Sequence, residues 1–282
     1  MPTKHSLVGF LLYTVDMEIK EFREIVWDYY RDHARAMPWR EHPSPYNVVV
    51  SEFMLQQTQV SRVEPKFLQW IELWPDFASL ANAPVVEVLA VWKGLGYNRR
   101  ALRLQEVARL VTAEYAGTLP ATQAQLVALP GIGPGTAGAI MAYAWNQPVV
   151  FIETNIRRVF LHHFFSDQDN VPDSELMPLI ASALDRELPR EWYWALMDYG
   201  TYLKSQFVNP NRRSRHYTRQ SKFEGSHRQL RGILLERAIA GETLRADVGI
   251  ENYDLESVGR ALDELANEGF LVSAGDGFTI KV

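Results

Sequence analysis

The segment LPGIGPGTAGAI, residues 129–140, decides how the rest of the chain is interpreted. Gly133, Gly135 and Gly138 match the G-x-G-x-x-G spacing of a dinucleotide-binding loop, but such a loop follows a β-strand. Here the preceding residues, TQAQLVAL, have a helical pattern, and the glycines and prolines exceed what a plain helical turn requires. The sequence therefore predicts two helices joined by a tight hairpin, whose outward backbone N–H groups can hold a phosphate.

Helical periodicity dominates the chain before residue 225, and no alternating strand pattern of any length occurs there. Pro and Gly mark most of the joints between the predicted elements. The predicted helices are 20–35, 48–70 with an interruption near Pro65, 84–92, 98–116, 122–129, 136–146, 155–165, 174–187 and 191–204. The sequence thus predicts a mainly α fold.

The pattern changes after Gly225. A helix ending at Gly241 is followed by a predicted short helical turn over 243–250. A second helix then carries Val258, Leu262 and Leu265 on one side, and two short strands flank Gly-Asp-Gly. This order resembles a winged helix-turn-helix, which either binds DNA or only packs on the main body.

Composition excludes several classes of chemistry. The 282 residues are 47% apolar, which suffices for a substantial core, and they include no cysteine, so disulfides, thiolate nucleophiles and cysteine-held metal clusters are excluded. The seven histidines contain no pair at the spacing of a helical zinc site, so no metal site is predicted. The apolar stretch near the N-terminus is too short to span a bilayer. We expect a cytoplasmic protein without membrane association, nucleoid-associated if the source is prokaryotic.

Charge is distributed unevenly along the chain. The net charge is −5, yet the segment from Lys204 to Arg231 has eight basic residues against Glu224 alone, or +7, which leaves −12 for the remainder. A basic segment on an acidic body indicates a local phosphate-binding surface. The alternative is a solvated linker, but the interleaved His216, Tyr217 and Phe223 favour an ordered segment.

Four motifs in this order and spacing resemble the helix-hairpin-helix DNA glycosylases, and most of all their MutY-like adenine glycosylase branch. They are SEFMLQQTQV (51–60), WKGLGY (92–97), LPGIGPGTAGAI (129–140) and IETNIRRV (152–159). The likeness covers about residues 20–203. It implies one helical subdomain formed by 1–37 and 148–223, a second formed by 38–147 with the hairpin, and a separate winged-helix-like domain over 224–282.

The resemblance also implies a reaction. Glycosylases flip a nucleotide out of double-stranded DNA that contains a mismatch or a damaged base, and they cleave its N-glycosidic bond. Glu52 matches the general acid that protonates N7 of adenine, and Glu153 matches the acid that faces the cationic sugar. Asn155 is expected to hydrogen-bond around the sugar or the acid. Taken alone, Glu52 is better interpreted as a helix-surface acid and Glu153 as a helix N-cap, but their joint occurrence inside the matched motifs favours the catalytic roles.

Further residues match the family's DNA contacts. Gln56 and Gln57 resemble the pair that probes the duplex near the flipped base, and Tyr97 matches the wedge inserted into the base stack, although core packing is an alternative for Tyr97. The expected phosphate contacts are Gly131, Gly133, Gly135, Thr136, Arg212, Arg213 and Arg215. Bifunctional relatives have a lysine where this chain has Gly135, so we expect base removal without strand cleavage.

Three departures from the family affect the prediction. Lys204 stands where the first of four iron–sulfur cysteines is expected, and NPNRRSRHYTRQSK replaces the cluster loop, so no cluster is predicted; the only cofactor considered is a structural monovalent cation at the hairpin. The 8-oxoguanine-sensing C-terminal domain is missing. Glu153 replaces Asp, Thr154 replaces Gly, and Gly135 replaces a pocket Ser or Tyr.

These observations predict a monomeric, monofunctional glycosylase that excises adenine opposite guanine or 8-oxoguanine. One alternative keeps the mechanism but changes the base to a pyrimidine opposite guanine: thymine, uracil or 5-hydroxyuracil. A third possibility is a DNA-binding protein without catalysis that uses the winged helix for regulation.

Overall fold

The computed structural model describes residues 4–219, 222–247 and 249–281, with side chains from residue 18 onward. Within these ranges the chain is mainly helical and carries one short hairpin at its C-terminal end. The helices before the hairpin are α1 (Lys4–His33), α2 (Pro38–Glu41), α3 (Pro45–Leu55), α4 (Val60–Leu73), α5 (Phe77–Ala81), α6 (Val85–Trp92), α7 (Arg99–Glu114), α8 (Gln123–Ala128), α9 (Pro134–Trp145), α10 (Thr154–Phe164), α11 (Asp173–Ala183), α12 (Pro189–Gln206), a 3-10 turn (Pro210–Arg213), α13 (His227–Ile239) and α14 (Leu255–Asn267).

The chain forms two compact units. The first unit comprises Met1–Val48, Ala121–Ala128 and Ile132–Thr218, and the second comprises Val49–Pro120, Leu129–Gly131 and Arg219–Val282. Each unit has its own buried core, so each can fix the side chains that it presents.

In the first unit, α12 is the central helix and packs against α1, α9 and α10. Its core is aromatic: the ring of Phe22 lies 5.0 Å from that of Phe160 and 6.1 Å from that of Trp192. The buried Asp198 of α12 adds a polar anchor, because it accepts hydrogen bonds from Arg35 and Arg40, including one of 2.8 Å from Arg40 Nη1. These two ion pairs tie the linker after α1 and the short helix α2 to α12.

In the second unit, α7 packs against α5 and α6 around Trp70 and Trp92, whose buried rings lie 5.7 Å apart in an edge-to-face arrangement. The C-terminal part of this unit consists of α13, α14 and an antiparallel hairpin of β1 (Leu271–Ala274) and β2 (Gly277–Ile280). We call residues 222–281 the tail. The predicted apolar side of α14 is confirmed, since Val258, Leu262 and Leu265 are buried.

Some element predictions were wrong. The helix expected over 48–70 is interrupted at 56–59 rather than near Pro65, which lies inside α4 and leaves only the exposed carbonyl of Ser61 without its helical hydrogen bond. The short helical turn expected over 243–250 is not formed in the described part of that range. Leu244 instead pairs with Phe278 of the hairpin as an isolated antiparallel bridge.

The units also group the chain differently from the predicted domains. The hairpin helices α8 and α9 belong to the first unit, where α9 contacts α12, whereas the sequence suggested one subdomain over 38–147. The tail is grouped with the second unit, and two of its residues form ion pairs with Lys93 and Arg99. In the described residues no helix is long and apolar enough to cross a membrane.

Candidate active site and DNA-contacting loops

The predicted helix-hairpin-helix is present. The hairpin loop turns at Gly131, whose φ of +82° favours glycine, and an added Cβ there would lie 3.0 Å from the ring of Phe53. Gly133 caps α9, and Pro134 occupies its first position. The first-turn N–H groups of Gly135 and Thr136 have no acceptor within the helix, which is the arrangement that suits an anion.

Glu153 lies at the N-cap of α10, in extended conformation, and its Oε1 accepts hydrogen bonds from the backbone N–H groups of Asn155 (2.5 Å) and Ile156 (2.9 Å). The capping role that the sequence left open is therefore real. It uses one carboxylate oxygen, and among the described residues no hydrogen bond reaches Oε2. The second oxygen can consequently serve a ligand while the first holds the side chain in place.

The residues before Glu153 are fixed by aromatic packing. The buried Phe151 ring lies 4.2 Å from that of Tyr193, whose hydroxyl donates to the carbonyl of Val149 (2.7 Å). Gly138 of α9 makes this approach possible, since a Cβ there would lie 2.5 Å from Cβ of Phe151. A Cβ on Gly135 would lie 3.3 Å from the carbonyl oxygen of Ile152, so the start of α9 approaches the residue next to Glu153.

Asn155 is held on both sides of its amide. Its Oδ1 accepts from Nη1 of the buried Arg158, and its Nδ2 lies 3.8 Å from Sδ of Met197. Arg158 also donates to the carbonyl of Gly200 (2.8 Å) and to Oδ1 of Asn209 (3.2 Å). Gly200 permits close packing of α10 and α12, since a Cβ there would lie 2.7 Å from the carbonyl oxygen of Asn155. The segment from Glu153 to Arg158 is thus held by several independent contacts.

The electrostatic setting of Glu153 combines opposing effects. Burial raises the pKa of this carboxyl above its usual value, whereas the Ile156 and Asn155 N–H groups and the positive charges of Arg158 and Arg157 oppose the rise. Burial makes the negative charge costly, and it also makes that charge effective against a cation formed beside it. Such a group suits electrostatic stabilisation of a cationic intermediate.

Glu52 lies on α3 in the second unit, half-buried, beside the fully buried Phe53 and Met54. The helix ends at Leu55, so Gln56 and Gln57 lie in the turn that follows α3. Gln57 has a φ of +54°, a strained conformation for a side chain of this kind.

The loop that contains Tyr97 is similarly strained. Tyr97 has a φ of +48° and follows Gly94 and Gly96, which also have positive φ. Its side chain is 37% exposed, so the expected wedge is a surface residue and not a core residue. Strained backbone at Gln57 and Tyr97 occurs where the family resemblance places DNA contacts, which is where such strain is commonly found.

The buried side chain of Arg100 donates hydrogen bonds to both of these loops. Its Nη1 donates to the carbonyls of Phe53 (2.6 Å) and Gln56 (2.6 Å), and its Nη2 donates to Thr58 Oγ1 (3.1 Å) and the carbonyl of Gly96 (2.9 Å). The guanidinium also lies 5.7 Å from the centre of the Tyr97 ring, and burial lowers the pKa of Arg100 to about 10. It caps the end of α3 and braces the Tyr97 loop at the same time.

Sequence reasoning missed Arg100, although a signal was present. On α7, residues 100, 104, 107 and 111 follow the spacing of a buried stripe, and the other three are apolar. An arginine on such a stripe must find hydrogen-bond acceptors inside the protein, so its guanidinium is expected to hold other segments of the chain in place. Arg158 and Gly200 were also missed, since only the packing of α10 on α12 gives them a role.

The basic segment is ordered from Asn209 to Arg215. Val171 forms an isolated parallel bridge with Ser214: its N–H donates to the Arg213 carbonyl (2.8 Å), and its carbonyl accepts from the Arg215 N–H (2.9 Å). Arg212 and Arg215 are exposed, whereas Arg213 is half-buried. Beyond this stretch, Arg231 forms ion pairs with Glu264 and Glu268 of the tail, so its positive charge is compensated within the tail.

An iron–sulfur cluster does not fit this region. The chain has no cysteine to supply thiolates. The place of the expected cluster loop is closed by other contacts: the Asn211 amide donates to the Thr154 carbonyl (2.9 Å), and both Asn211 and Ser214 are buried.

The part of the chain that matches a known protein family contains all four of the motifs identified in the sequence. Residues 50–181 match the model of the HhH-GPD superfamily of base excision DNA repair proteins. The chain is 34% identical over 267 residues to the adenine DNA glycosylase of Mycolicibacterium smegmatis, covering 87% of this chain and 91% of that protein. It is 32% identical over 289 residues to the enzyme of that name from Mycobacterium tuberculosis, covering 92% of each.

These matches extend further than the predicted likeness over residues 20–203. Coverage of 87% of 282 residues, about 245, exceeds the 223 residues before the predicted winged-helix-like domain, so it includes part of the tail. Among solved structures, a thermostable thymine-DNA glycosylase superposes with a TM-score of 0.59 at 24% identity, covering 65% of this chain and 86% of that one. At this identity the superposition supports the fold alone.

Proposed function

The chain belongs to the adenine DNA glycosylases of the HhH-GPD superfamily, and from this membership we propose that it excises adenine mispaired with guanine or 8-oxoguanine in double-stranded DNA. The reaction is the base-removal step of base excision repair. The proposal rests most directly on the likeness to adenine DNA glycosylases over most of the chain. Glu153, with one oxygen fixed and the other without a hydrogen bond among the described residues, agrees with it.

Glu52 is the proposed general acid. Adenine is a poor leaving group as an anion, and protonation at N7 lets it depart as a neutral base. The half-buried position of Glu52, beside Phe53 and Met54, gives the apolar surroundings in which a carboxyl group can hold a proton.

Glu153 is the proposed electrostatic stabiliser. Loss of the base leaves positive charge on the sugar, and a fixed carboxylate lowers the energy of that state without reorganising. The backbone N–H groups on Oε1 and the nearby Arg158 keep the side chain in one position. Asn155, fixed between Arg158 and Met197, is the proposed hydrogen-bonding partner of the substrate sugar or the acid.

Gly135 makes the proposed reaction monofunctional. A lysine amine at this position would attack the sugar and allow cleavage of the strand, but glycine has no nucleophile. The product is therefore an intact strand with an abasic site, and water supplies the oxygen at C1′. We expect borohydride to trap no covalent complex with DNA.

The proposed DNA contacts divide among three places. Gln56, Gln57 and Tyr97 act near the flipped nucleotide, and the hairpin N–H groups around Gly133 to Thr136 bind a phosphate. The exposed Arg212 and Arg215, with Arg213, bind further phosphates in place of a cluster loop.

A panel of duplexes tests the proposal. Duplexes with adenine opposite guanine, 8-oxoguanine or thymine, and with thymine, uracil or 5-hydroxyuracil opposite guanine, are incubated with the protein and then treated with alkali. Alkali-dependent nicks at adenine opposite guanine or 8-oxoguanine are the expected result. Nicks at the pyrimidines would replace adenine as the substrate, and nicks in none of the duplexes would contradict glycosylase activity.

A further inference from the structure

Arg228 of the tail contacts the side chain of Tyr97. Nη1 of Arg228, at the start of α13, donates to the Tyr97 hydroxyl at 2.8 Å. The Arg228 guanidinium also lies 5.6 Å from the centre of the Tyr97 ring and 5.5 Å from that of Phe223. It is therefore stacked near two aromatic rings while it holds the tip of the side chain that is the proposed wedge.

Two ion pairs between the tail and the residues on either side of Tyr97 accompany this contact. Glu236 of α13 pairs with Lys93, and Glu268 pairs with Arg99 at 2.5 Å. Lys93, Tyr97 and Arg99 lie within seven positions, so all three tail contacts fall on the Tyr97 loop and its two ends. Ion pairs near the surface contribute little energy individually, but these two, together with the Arg228–Tyr97 contact, hold the tail against one short loop.

The start of α13 is itself well held. The Ser226 side chain caps the helix by accepting from the Gln229 N–H, and Leu230 and Leu234 are fully buried in the tail. Arg228 therefore extends from a fixed helix end. Tyr97, in contrast, has a φ of +48°, a left-handed conformation that is unfavourable for its side chain and persists only where surrounding contacts hold it.

We propose that Arg228 is a positioning residue for the Tyr97 wedge, so that the tail is a working part of the DNA-reading surface and not only a packed appendage. Arg100 supports the loop backbone from inside the protein, and Arg228 orients the exposed ring from outside. A wedge held in the orientation for insertion has less freedom to lose when it enters the base stack. This role rests on the proposed base-flipping function and deepens it.

The test compares Arg228→Ala and Arg228→Lys with a matched control, Arg260→Ala, which removes an exposed arginine of the same tail that pairs only weakly with Glu256. Two readouts are followed with enzyme in excess: the single-turnover rate of base release, and the fluorescence of 2-aminopurine placed beside the target nucleotide. Arg228→Ala is expected to slow both base unstacking and release by about tenfold, with the thermal midpoint and affinity for undamaged duplex unchanged. Arg228→Lys should retain an intermediate rate, and Arg260→Ala should match the wild type.

A double-mutant cycle separates positioning from an independent DNA contact. If Arg228 acts through the wedge, Arg228→Ala adds no further loss to Tyr97→Ala. Additive losses, a wild-type rate for Arg228→Ala, or a faster rate indicating that Arg228 restrains the wedge would each overturn the inference. If the wild-type protein releases no base at all, the proposed function fails, and the 2-aminopurine signal still decides whether Arg228 governs unstacking.

Discussion

The segment around Glu153 and the loops around Gln57 and Tyr97 are built in opposite ways. Glu153 and Asn155 are held by backbone N–H groups, by Arg158 and by the close packing at Gly200, so no single side chain supports them alone. The two loops have left-handed residues, and one buried side chain, Arg100, supplies hydrogen bonds to both. The segment around Glu153 is therefore fixed by several independent contacts, whereas the two loops share Arg100 as their main support, aided by Thr58, whose Oγ1 donates to the carbonyls of Gln56 and Leu95.

The most severe effect on turnover is expected for Glu153→Gln. Glutamine keeps an oxygen for the Asn155 and Ile156 N–H groups but removes the charge, so the rate of base release should fall on the order of a thousandfold with DNA binding retained. The measurements are single-turnover base release and duplex affinity. A fully active variant would remove Glu153 from the mechanism.

The same substitution makes a prediction about stability. Burial raises the pKa of Glu153, and a carboxyl group with a higher pKa in the folded than in the unfolded chain lowers stability at neutral pH. This penalty disappears as the pH falls below the pKa of the unfolded chain. The thermal midpoint of Glu153→Gln at neutral pH should therefore be equal to or above that of the wild type, and the difference should shrink in acid.

Arg100→Met tests the dependence of both loops on one residue. It keeps the apolar stem and removes the donors, so the Phe53 carbonyl loses its hydrogen bond from Arg100, while the carbonyls of Gln56 and Gly96 retain those from Thr58 Oγ1 and Trp92 Nε1. We expect the free energy of unfolding to fall by about 3 kcal/mol and base release to slow about a hundredfold, because both loops lose their positions.

Arg109→Met is the control for this change, since Arg109 is an exposed arginine of the same helix with one hydrogen bond to the Ala81 carbonyl. Denaturant unfolding and single-turnover kinetics should leave it close to the wild type. If Arg100→Met behaves like this control, the two loops have another source of order and the contrast between the regions is wrong.

Gly200→Ala tests the redundancy of the other region. The added methyl would lie 2.7 Å from the Asn155 carbonyl oxygen, so α10 must shift, but the Glu153 cap and the Arg158 hydrogen bonds remain. We expect a loss of about 1–3 kcal/mol in stability and only about a tenfold slower release. Gly232→Ala, with nothing within 4 Å of the added atom, is the control and should not lower stability.

A loss of activity for Gly200→Ala as great as for Glu153→Gln would contradict the redundancy of this region. It would mean that the packing of α10 on α12 alone positions the acid.

The weakest effect on chemistry is expected outside both regions, on the basic segment. Reversal of Arg212, Arg213 and Arg215 to Glu should weaken binding to all duplexes alike. The slope of the logarithm of the binding constant against the logarithm of the salt concentration should become less negative by about 0.9 for each phosphate contact that is lost. The single-turnover rate at saturating protein should change little. Reversal of the exposed Lys20, Arg31 and Arg186 makes the same change in net charge and is the control. Equal losses for the two triple variants would assign the effect to net charge alone.

Much of the fold and of the candidate site could be predicted because the signals are local. The glycines and prolines of 129–140 specify the hairpin, and the spacing of Val258, Leu262 and Leu265 specifies the buried side of α14. Arg158, Gly200 and Arg228 could not be predicted, since their roles arise only when distant segments pack together. The grouping of the tail with the second unit likewise depends on contacts between residues more than 130 positions apart, such as Tyr97 and Arg228.

The central claim is that cleavage requires a proton delivered to the departing adenine while a fixed acid offsets charge on the sugar. The most direct measurement replaces the target adenine with 7-deazaadenine, which keeps the shape and pairing face but lacks N7. We predict that the protein binds this duplex as tightly as the adenine duplex and releases no base from it. Release at the rate of the adenine substrate would contradict the account.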